Sequence, residues 1–215
     1  MATATLTDPT ISNAPDQGMP FGVPYRMTAE EFFKAVDADV FPYERRIELW
    51  EGRLFEKMAR ELPHVGGQTN VIVALVRVLP DGWGLWVEGP ILVDDFSAPL
   101  PDVAIIQGVA NDYTSRQLCP KVGEIGLVVE VADTSLRKNL TKTMEIYARA
   151  GLPTYWVINL VAKRVEVYSR PRVEGSVGSY EDAELFEPGK QVPLRLDGKE
   201  IARIPVNDLL PKEPS

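Results

Sequence analysis

The sequence contains very little cysteine and histidine and no long hydrophobic run. Cys119 and His64 are the only residues of their types among the 215. One cysteine cannot form an internal disulfide bond, and the paired Cys/His spacing of zinc modules is missing from the sequence. The apolar run over residues 71–75 is soon followed by Arg77, so it is too short for a membrane span. Together with an N terminus that lacks a signal-peptide pattern, these absences predict a cytoplasmic protein without membrane contact.

The rest of the composition is that of an ordinary globular protein. Hydrophobic residues make up 45% of the chain and charged residues 25%, which excludes wholesale disorder. A chain of 215 residues is long enough to bury one sizeable core. Residues 1–24 are rich in Thr, Pro and Asp without periodicity and predict a flexible tail, whereas residues 25–211 predict a single domain. No internal repeat and no glycine-rich phosphate loop is present in the sequence.

The net charge of -8 argues mildly against nonspecific binding of nucleic acid, because neutralising phosphates needs Lys and Arg. The charge is unevenly distributed, however. Within residues 116–172, ten basic residues stand against five acidic ones. This basic centre could guide a polyanion toward the protein. A solvated surface of mixed charge explains the same numbers.

The hydrophobic pattern predicts an α/β fold. Thr28 and Glu31 form a capping-box signature that opens a short helix, and Gly52 lies in a tight turn between strands over residues 46–50 and 53–58. Two further helices are predicted, from near His64 to Leu79 and from Lys138 to Ala150. Apolar segments predict further strands, at residues 85–88, 91–93, 102–106, 126–132, 154–160 and 164–168. The C-terminal remainder is predicted as short edge strands and turns.

Two carboxylates stand out because they lie next to strongly apolar strands. Asp102 begins the segment Val103-Ala-Ile-Ile106, and Glu130 follows Leu127-Val-Val129. A buried carboxylate is stable only when it is paired, hydrogen-bonded or bound to a metal. If the two strands are neighbours, both carboxylates and the Val131 carbonyl can offer hard oxygen ligands to Mg²⁺. The alternative is structural, with Asp102 capping a strand and Glu130 pairing with Lys142 or Arg137.

An ordered set of motifs covers most of the chain outside the tail. It comprises Pro101-Asp102, Val129-Glu130-Val131, Asp133-Thr-Ser135-Leu136 and Tyr147-Ala-Arg-Ala-Gly151-Leu-Pro-Thr-Tyr155-Trp156. It extends upstream to Met27-Thr-Ala-Glu-Glu-Phe32, Glu48-Leu-Trp-Glu-Gly52 and His64, and downstream to Pro205-Val-Asn-Asp-Leu-Leu210. This set resembles a restriction-endonuclease family of bacterial proteins with the PD-(D/E)XK nuclease fold. The resemblance implies a mixed central β-sheet flanked by helices, with an additional N-terminal hairpin.

The resemblance also assigns roles to individual residues. It makes Asp102 and Glu130 the metal ligands and Glu48 an additional acid near the metal. In the wider fold, a lysine two residues after the glutamate polarises the attacking water, but Ala132 stands at that place here. The family is thought to carry this lysine on the following helix.

The sequence departs from the family pattern on that helix. Asn139 stands where Asp is usual, and Thr143 stands where Lys is usual. Lys142, one residue earlier, is therefore the candidate catalytic lysine, although a shift of one residue turns a helical side chain by about 100°.

Three further residues are candidates for contact with substrate. Arg137 and Lys138 could bind phosphates, or they could form an exposed first helical turn. His64 could border the site, or it could be a capping or solvent-facing residue at a helix start. Trp156 lies in a central strand pattern, which indicates a core residue rather than a platform for stacking bases.

These observations lead to two main hypotheses, and hydrolysis of another phosphate ester is a third option, because a metal site alone does not select DNA. The first is an endonuclease that hydrolyses DNA phosphodiester bonds and depends on Mg²⁺ or Mn²⁺ held by Asp102 and Glu130. The second is a non-catalytic member of the fold that serves DNA binding or protein assembly, and Asn139 and Thr143 motivate it. A homodimer is also expected, because nucleases of this fold often act on two strands through twofold symmetry.

Overall fold

The computed structural model describes residues 23–42, 45–57, 61–116, 118–133 and 140–212. Residues 1–22 of the predicted tail lie outside these ranges. The helices of the described part are α1 (Ala29–Asp37), α2 (Leu62–Val76), α3 (Ala110–Thr114), α4 (Leu140–Ala150) and α5 (Val206–Leu209). The strands are β1 (Ile47–Trp50), β2 (Arg53–Glu56), β3 (Trp83–Val87), β4 (Val103–Gln107), β5 (Ile125–Ala132), β6 (Thr154–Asn159), β7 (Arg164–Glu174), β8 (Val177–Phe186), β9 (Gln191–Leu196) and β10 (Lys199–Pro205).

A six-stranded sheet forms the centre of the fold, with the strand order β3-β4-β5-β6-β7-β8. Strands β5 and β6 run parallel, and the other neighbouring pairs are antiparallel. A parallel pair needs a long crossover connection, and helix α4 provides it here. The hairpins β1–β2 and β9–β10 form two small sheets beside the central one. The predicted α/β fold, with a mixed sheet, flanking helices and an N-terminal hairpin, is thus confirmed.

The central sheet buries apolar side chains on both faces, so its strands alternate between two cores. Val129 and Val131 of β5 face a core shared with α2, α5 and the β9–β10 hairpin. Val128 and Ala132 face a second core that contains Tyr147 of α4. Glu130 shares the alternation of Val128 and Ala132 and therefore points to the α4 side.

Local sequence signals explain the N-terminal elements. Thr28 and Glu31 form the predicted capping box at the start of α1. The hairpin β1–β2 turns through Glu51 and Gly52, which have φ angles of 48° and 82°. Both values lie in the left-handed region that the tightest hairpin turns require, and glycine adopts it without steric cost.

The structure corrects the sequence-based prediction in two segments. The strand expected over residues 91–93 is an isolated bridge between Leu92 and Lys121. The C-terminal part contains longer strands than expected, since β7 has 11 residues and β8 has 10. Among the described helices, none has the length and apolar content that crossing a lipid bilayer requires.

A close approach at Gly178 generates a stability prediction. A Cβ at this position would overlap the backbone of Glu145 and Arg149, because strand β8 packs directly against helix α4. We expect Gly178→Ala to lower the free energy of unfolding by about 1–3 kcal/mol, as overpacking does. Gly123 is the matched control, since a Cβ there meets no atom within 4 Å. Urea unfolding should leave Gly123→Ala within about 1 kcal/mol of wild type, and equal effects of the two substitutions would contradict the packing argument.

Candidate metal centre

Asp102 and Glu130 lie side by side at the edge where strands β4 and β5 pair. Val103 is the partner of Val129 in this antiparallel pair, so the next position along places Asp102 opposite Glu130. Asp102 is fully buried, and the side chain of Glu130 is 12% exposed. Their proximity adds to the causes that raise the pKa of Glu130, of which burial is the largest. The predicted convergence of these carboxylates on one face of the sheet is therefore present.

Each carboxylate has one oxygen bound by the surrounding protein. The backbone N–H of Val131 donates to Asp102 Oδ2 over 2.8 Å. The Tyr147 hydroxyl donates to Glu130 Oε1 over 3.3 Å. These contacts fix the orientation of both carboxyl groups and leave Asp102 Oδ1 and Glu130 Oε2 for another partner.

That partner is Lys57, the residue that follows strand β2 in the N-terminal hairpin. Its ammonium lies 2.9 Å from Asp102 Oδ1 and 3.6 Å from Glu130 Oε2, and it donates to the Leu100 carbonyl over 2.7 Å. Its side chain is only 10% exposed. The sequence-based hypotheses missed Lys57. The available signal was the alternation of β2, which puts Lys57 on the same side as Phe55 and so predicts an inward-pointing lysine.

Glu48 lies close enough to Lys57 and Glu130 to act on both electrostatically. Its charge adds to the causes that raise the pKa of Lys57 and the pKa of Glu130. Glu48 Oε1 accepts a hydrogen bond from the Leu100 N–H over 3.0 Å, and Oε2 accepts one from the Trp50 indole over 3.1 Å. The hairpin thus delivers both an acid and an ammonium to the paired strands.

The pKa values of the two central acids are shifted in opposite directions. Burial raises the pKa of Glu130 to about 8, and nearby Asp102 and Glu48 add to this effect while Lys57 opposes it. Burial also works to raise the pKa of Asp102, but contacts with His64, Lys57 and Val131 outweigh it and hold the pKa well below its usual value. The pair is therefore a buried site in which one carboxylate is ionised and the other resists ionisation.

The structure places Lys142 away from these acids. Its ammonium lies 3.4 Å from Glu51 and 3.2 Å from Glu145, and its side chain is half exposed. The predicted position of Lys142 beside Glu130 is thus taken by Lys57. The physical reason is the helical turn angle, since Lys142 and Tyr147 project from different sides of α4 and Tyr147 is the residue that contacts Glu130.

His64 belongs to the buried part of the site. It is 2% exposed, so the alternative of a solvent-facing residue is wrong. Its Nε2 atom lies 3.3 Å from Asp102 Oδ2, outside hydrogen-bond geometry. The first turn of α2 therefore brings the only histidine of the sequence against the carboxylate that Val131 orients. The other substrate-binding candidates, Arg137 and Lys138, lie outside the described residues, as does Asn139.

Much of the predicted basic centre is neutralised by acids within the fold. Lys142 and Arg149 both bind Glu51, and Arg164 binds Glu166. Arg170 lies 2.6 Å from Asp182, and Arg172 contacts Glu174 and Glu181. These ion pairs favour the mixed-charge interpretation of the sequence over a dedicated phosphate-binding surface at these five residues.

The chemistry of the site fits a small divalent cation. Asp102, Glu130 and Glu48 outnumber the single ammonium of Lys57, and a bound cation would favour ionisation of Glu130, whose pKa burial raises to about 8. Within the described residues, no group of three or more His, Cys, Asp and Glu side chains is arranged to hold a metal ion. Mg²⁺ commonly uses only one or two carboxylates together with water. Asp102 Oδ1, Glu130 Oε2 and the Leu100 carbonyl are the oxygen donors suited to it.

Comparison with known proteins identifies the family and the fold. The family model described as "Uma2: Putative restriction endonuclease" matches residues 29–206 of the chain. The solved structure of a "putative nuclease belonging to DUF820" from Anabaena variabilis is similar, with a TM-score of 0.59 and 20% sequence identity over 85% of this chain and 97% of that chain. At this identity the likeness shows the fold, and the predicted nuclease-like fold is confirmed. No curated protein matches the chain significantly.

The raised pKa of Glu130 generates a prediction for stability in EDTA-containing buffer. The folded protein keeps the Glu130 proton up to about pH 8, whereas an unperturbed glutamate loses it near pH 4.5. Between these values the folded state binds more protons than the unfolded state, so this carboxyl group makes stability fall as pH rises. Glu130→Gln removes the ionisation. We expect its melting temperature, relative to wild type, to increase from about pH 5 to about pH 9 in calorimetry.

Glu166→Gln is the control for this titration, because its shift has the opposite sign. Burial opposes ionisation of Glu166, but contacts with Asn159, Tyr168 and Arg164 prevail and lower its pKa. Its carboxylate therefore stabilises the fold above its unfolded pKa and loses that contribution on acidification. Glu166→Gln should destabilise the protein at neutral pH and less so in acid. A difference between Glu130→Gln and wild type that stays constant with pH would contradict the assignment.

Proposed function

Because the chain belongs to the Uma2 family of restriction-endonuclease-like proteins, we propose that it is a nuclease that hydrolyses DNA phosphodiester bonds with the help of Mg²⁺ or Mn²⁺. The observation that carries this proposal is the convergence of Asp102, Glu130 and Lys57 at one end of the paired strands. Two carboxylates and a lysine are the functional groups that nucleases of this fold combine.

Asp102 and Glu130 are the proposed metal ligands, with Glu48 as a nearby third acid. A bound divalent cation would activate water and stabilise the charge that develops on the phosphate. The protein contributes the orientation of the donors. Val131 and Tyr147 hold one oxygen of each carboxylate, which turns the other oxygen of each toward the same point. Donors that are oriented before the reaction do not have to reorganise during it.

Lys57 is the proposed catalytic lysine in place of Lys142. An ammonium beside the metal ligands can donate a hydrogen bond to the attacking water or to a phosphate oxygen. Water then adds to phosphorus, and the bond from phosphorus to the leaving sugar oxygen breaks to give a phosphate monoester and a hydroxyl end. The low exposure of Lys57 keeps its charge from being screened by solvent.

The charges of the site and of the whole protein also support a role for a metal cation in binding the phosphate. The site holds three carboxyl groups and only one ammonium, so it has no excess of positive charge that would attract a phosphodiester. The protein as a whole is acidic, with a net charge of -8. A divalent cation would supply positive charge and allow the phosphate to approach. DNA is the proposed substrate because the family model that matches the chain is described as a restriction endonuclease, a class of enzyme that cleaves DNA. The predicted homodimer remains a prediction.

We expect the purified protein to nick supercoiled plasmid DNA in the presence of Mg²⁺ or Mn²⁺, and not in EDTA. Asp102→Ala should lower the rate at least about 100-fold, because it removes a ligand that acts on the transition state. Glu184→Ala changes an exposed acid on β8 and is the matched control. DNA binding by wild type without any metal-dependent nicking would contradict the nuclease proposal and favour the non-catalytic alternative. Nicking that persists in Asp102→Ala would contradict the proposed site.

The same assay distinguishes the two candidate lysines. Lys57→Met should lower the nicking rate at least about 100-fold, because the ammonium next to the carboxylates is lost. Lys142→Met changes a half-exposed lysine paired with Glu51 and Glu145 and should have the smaller effect. A larger loss of nicking rate in Lys142→Met than in Lys57→Met would indicate that Lys142 of α4 is the catalytic lysine.

A further inference from the structure

The Lys57 ammonium holds the oxygen atoms that the proposed metal ion would bind. It contacts Asp102 Oδ1 and the Leu100 carbonyl within 3 Å and Glu130 Oε2 at 3.6 Å. We propose that Lys57 is an internal counter-ion that competes with the divalent cation, so that metal binding displaces its ammonium from the two carboxylates. This inference concerns regulation of the site and rests on the metal centre of the proposed function.

The competition follows from the partners of the individual oxygen atoms. Asp102 Oδ2 accepts the Val131 N–H, and Glu130 Oε1 accepts the Tyr147 hydroxyl. The remaining oxygens, Asp102 Oδ1 and Glu130 Oε2, are the ones that Lys57 contacts. A divalent cation that binds both carboxylates from the same side has to use these oxygens. Since two cations repel each other strongly at contact distance in a buried site, the ammonium has to move.

Burial explains why such a counter-ion is useful. Asp102 is completely buried and the Glu130 side chain is 12% exposed, so neither carboxylate is well solvated. An ionised carboxylate in such surroundings needs a compensating charge. Lys57 supplies that charge from within the chain. With Lys57, Val131 and Tyr147 as partners, the oxygen donors are already oriented before a metal ion would bind.

The structure also allows the ammonium to move without unfolding the hairpin. The Lys57 N–H donates to the Arg46 carbonyl over 2.8 Å, and strands β1 and β2 are paired along their length. The hairpin is bound in turn to the loop before β4 through reciprocal hydrogen bonds between Leu49 and Ala98. The ammonium, in contrast, ends a flexible four-carbon stem. Displacement therefore needs only side-chain rotation, and it leaves the ammonium beside the site where a phosphate would bind.

Metal affinity provides the direct test. Mn²⁺ is titrated into wild type, Lys57→Met and Lys142→Met, and unbound Mn²⁺ is measured by its electron paramagnetic resonance signal. Loss of the competitor should tighten binding to Lys57→Met by about tenfold or more, whereas Lys142→Met should stay within about twofold of wild type. Adding Asp102→Asn to Lys57→Met should abolish the gain, which locates it at this site. Unchanged or weaker binding to Lys57→Met would overturn the inference.

A second measurement uses the wild-type protein and does not depend on how the variants fold. Lysine amines are acetylated with a limiting reagent in EDTA or in Mg²⁺, and the modified peptides are quantified by mass spectrometry. Displacement should increase the labelling of Lys57 several-fold in Mg²⁺, while Lys142 serves as the internal reference. Equal labelling of Lys57 in both conditions would overturn the inference. These readouts are separate from nicking, so failure to cleave DNA would contradict the proposed function and leave the competition intact.

Discussion

The contact between the Lys57 ammonium and two buried carboxylates is the interaction on which the rest of the site depends. Asp102 and Glu130 come from neighbouring strands of the central sheet, and Lys57 comes from a separate hairpin. Asp102 stays ionised in these apolar surroundings because His64, Lys57 and Val131 stabilise its charge, whereas burial raises the pKa of Glu130 even with Lys57 beside it. The position of the hairpin over the sheet is thus an electrostatic requirement as well as a packing arrangement.

Much of the fold follows from signals that are local in the sequence. The capping box at Thr28 and the turn at Gly52 gave α1 and the first hairpin, because each depends on residues within three or four positions. The near-continuous apolar pattern of β5 indicated a strand covered on both faces, and Glu130 stood out against that pattern. The proximity of Asp102 and Glu130 could be predicted from the sequence because each of these carboxylates stands next to an apolar strand. A buried carboxylate needs a positive partner, and two such carboxylates on neighbouring strands predict a cation that both can share.

The remainder of the site depends on contacts that the sequence pattern does not encode. Lys57 and Asp102 are 45 positions apart, and nothing local specifies that the hairpin folds over this end of the sheet. Family resemblance directed attention to α4, where Lys142 instead forms ion pairs with Glu51 and Glu145. His64 was ambiguous because a helix start is equally compatible with solvent and with a buried edge. Its burial is decided by the packing of α2 against the central sheet, which is a tertiary property.

The carboxylates of the site are held by the rigid central sheet, whereas the Lys57 ammonium is carried by a flexible side chain. The donor that orients Asp102 is the backbone N–H of Val131, which directly follows Glu130 in the same strand. A shift in the pairing of β4 and β5 would therefore change the separation of the carboxylates and their orientation together, and the buried sheet resists such a shift because every apolar side chain would change face. The positive charge sits on a flexible stem instead. A site built in this way keeps its ligand geometry constant while the counter-charge adjusts to whichever cation or phosphate is present.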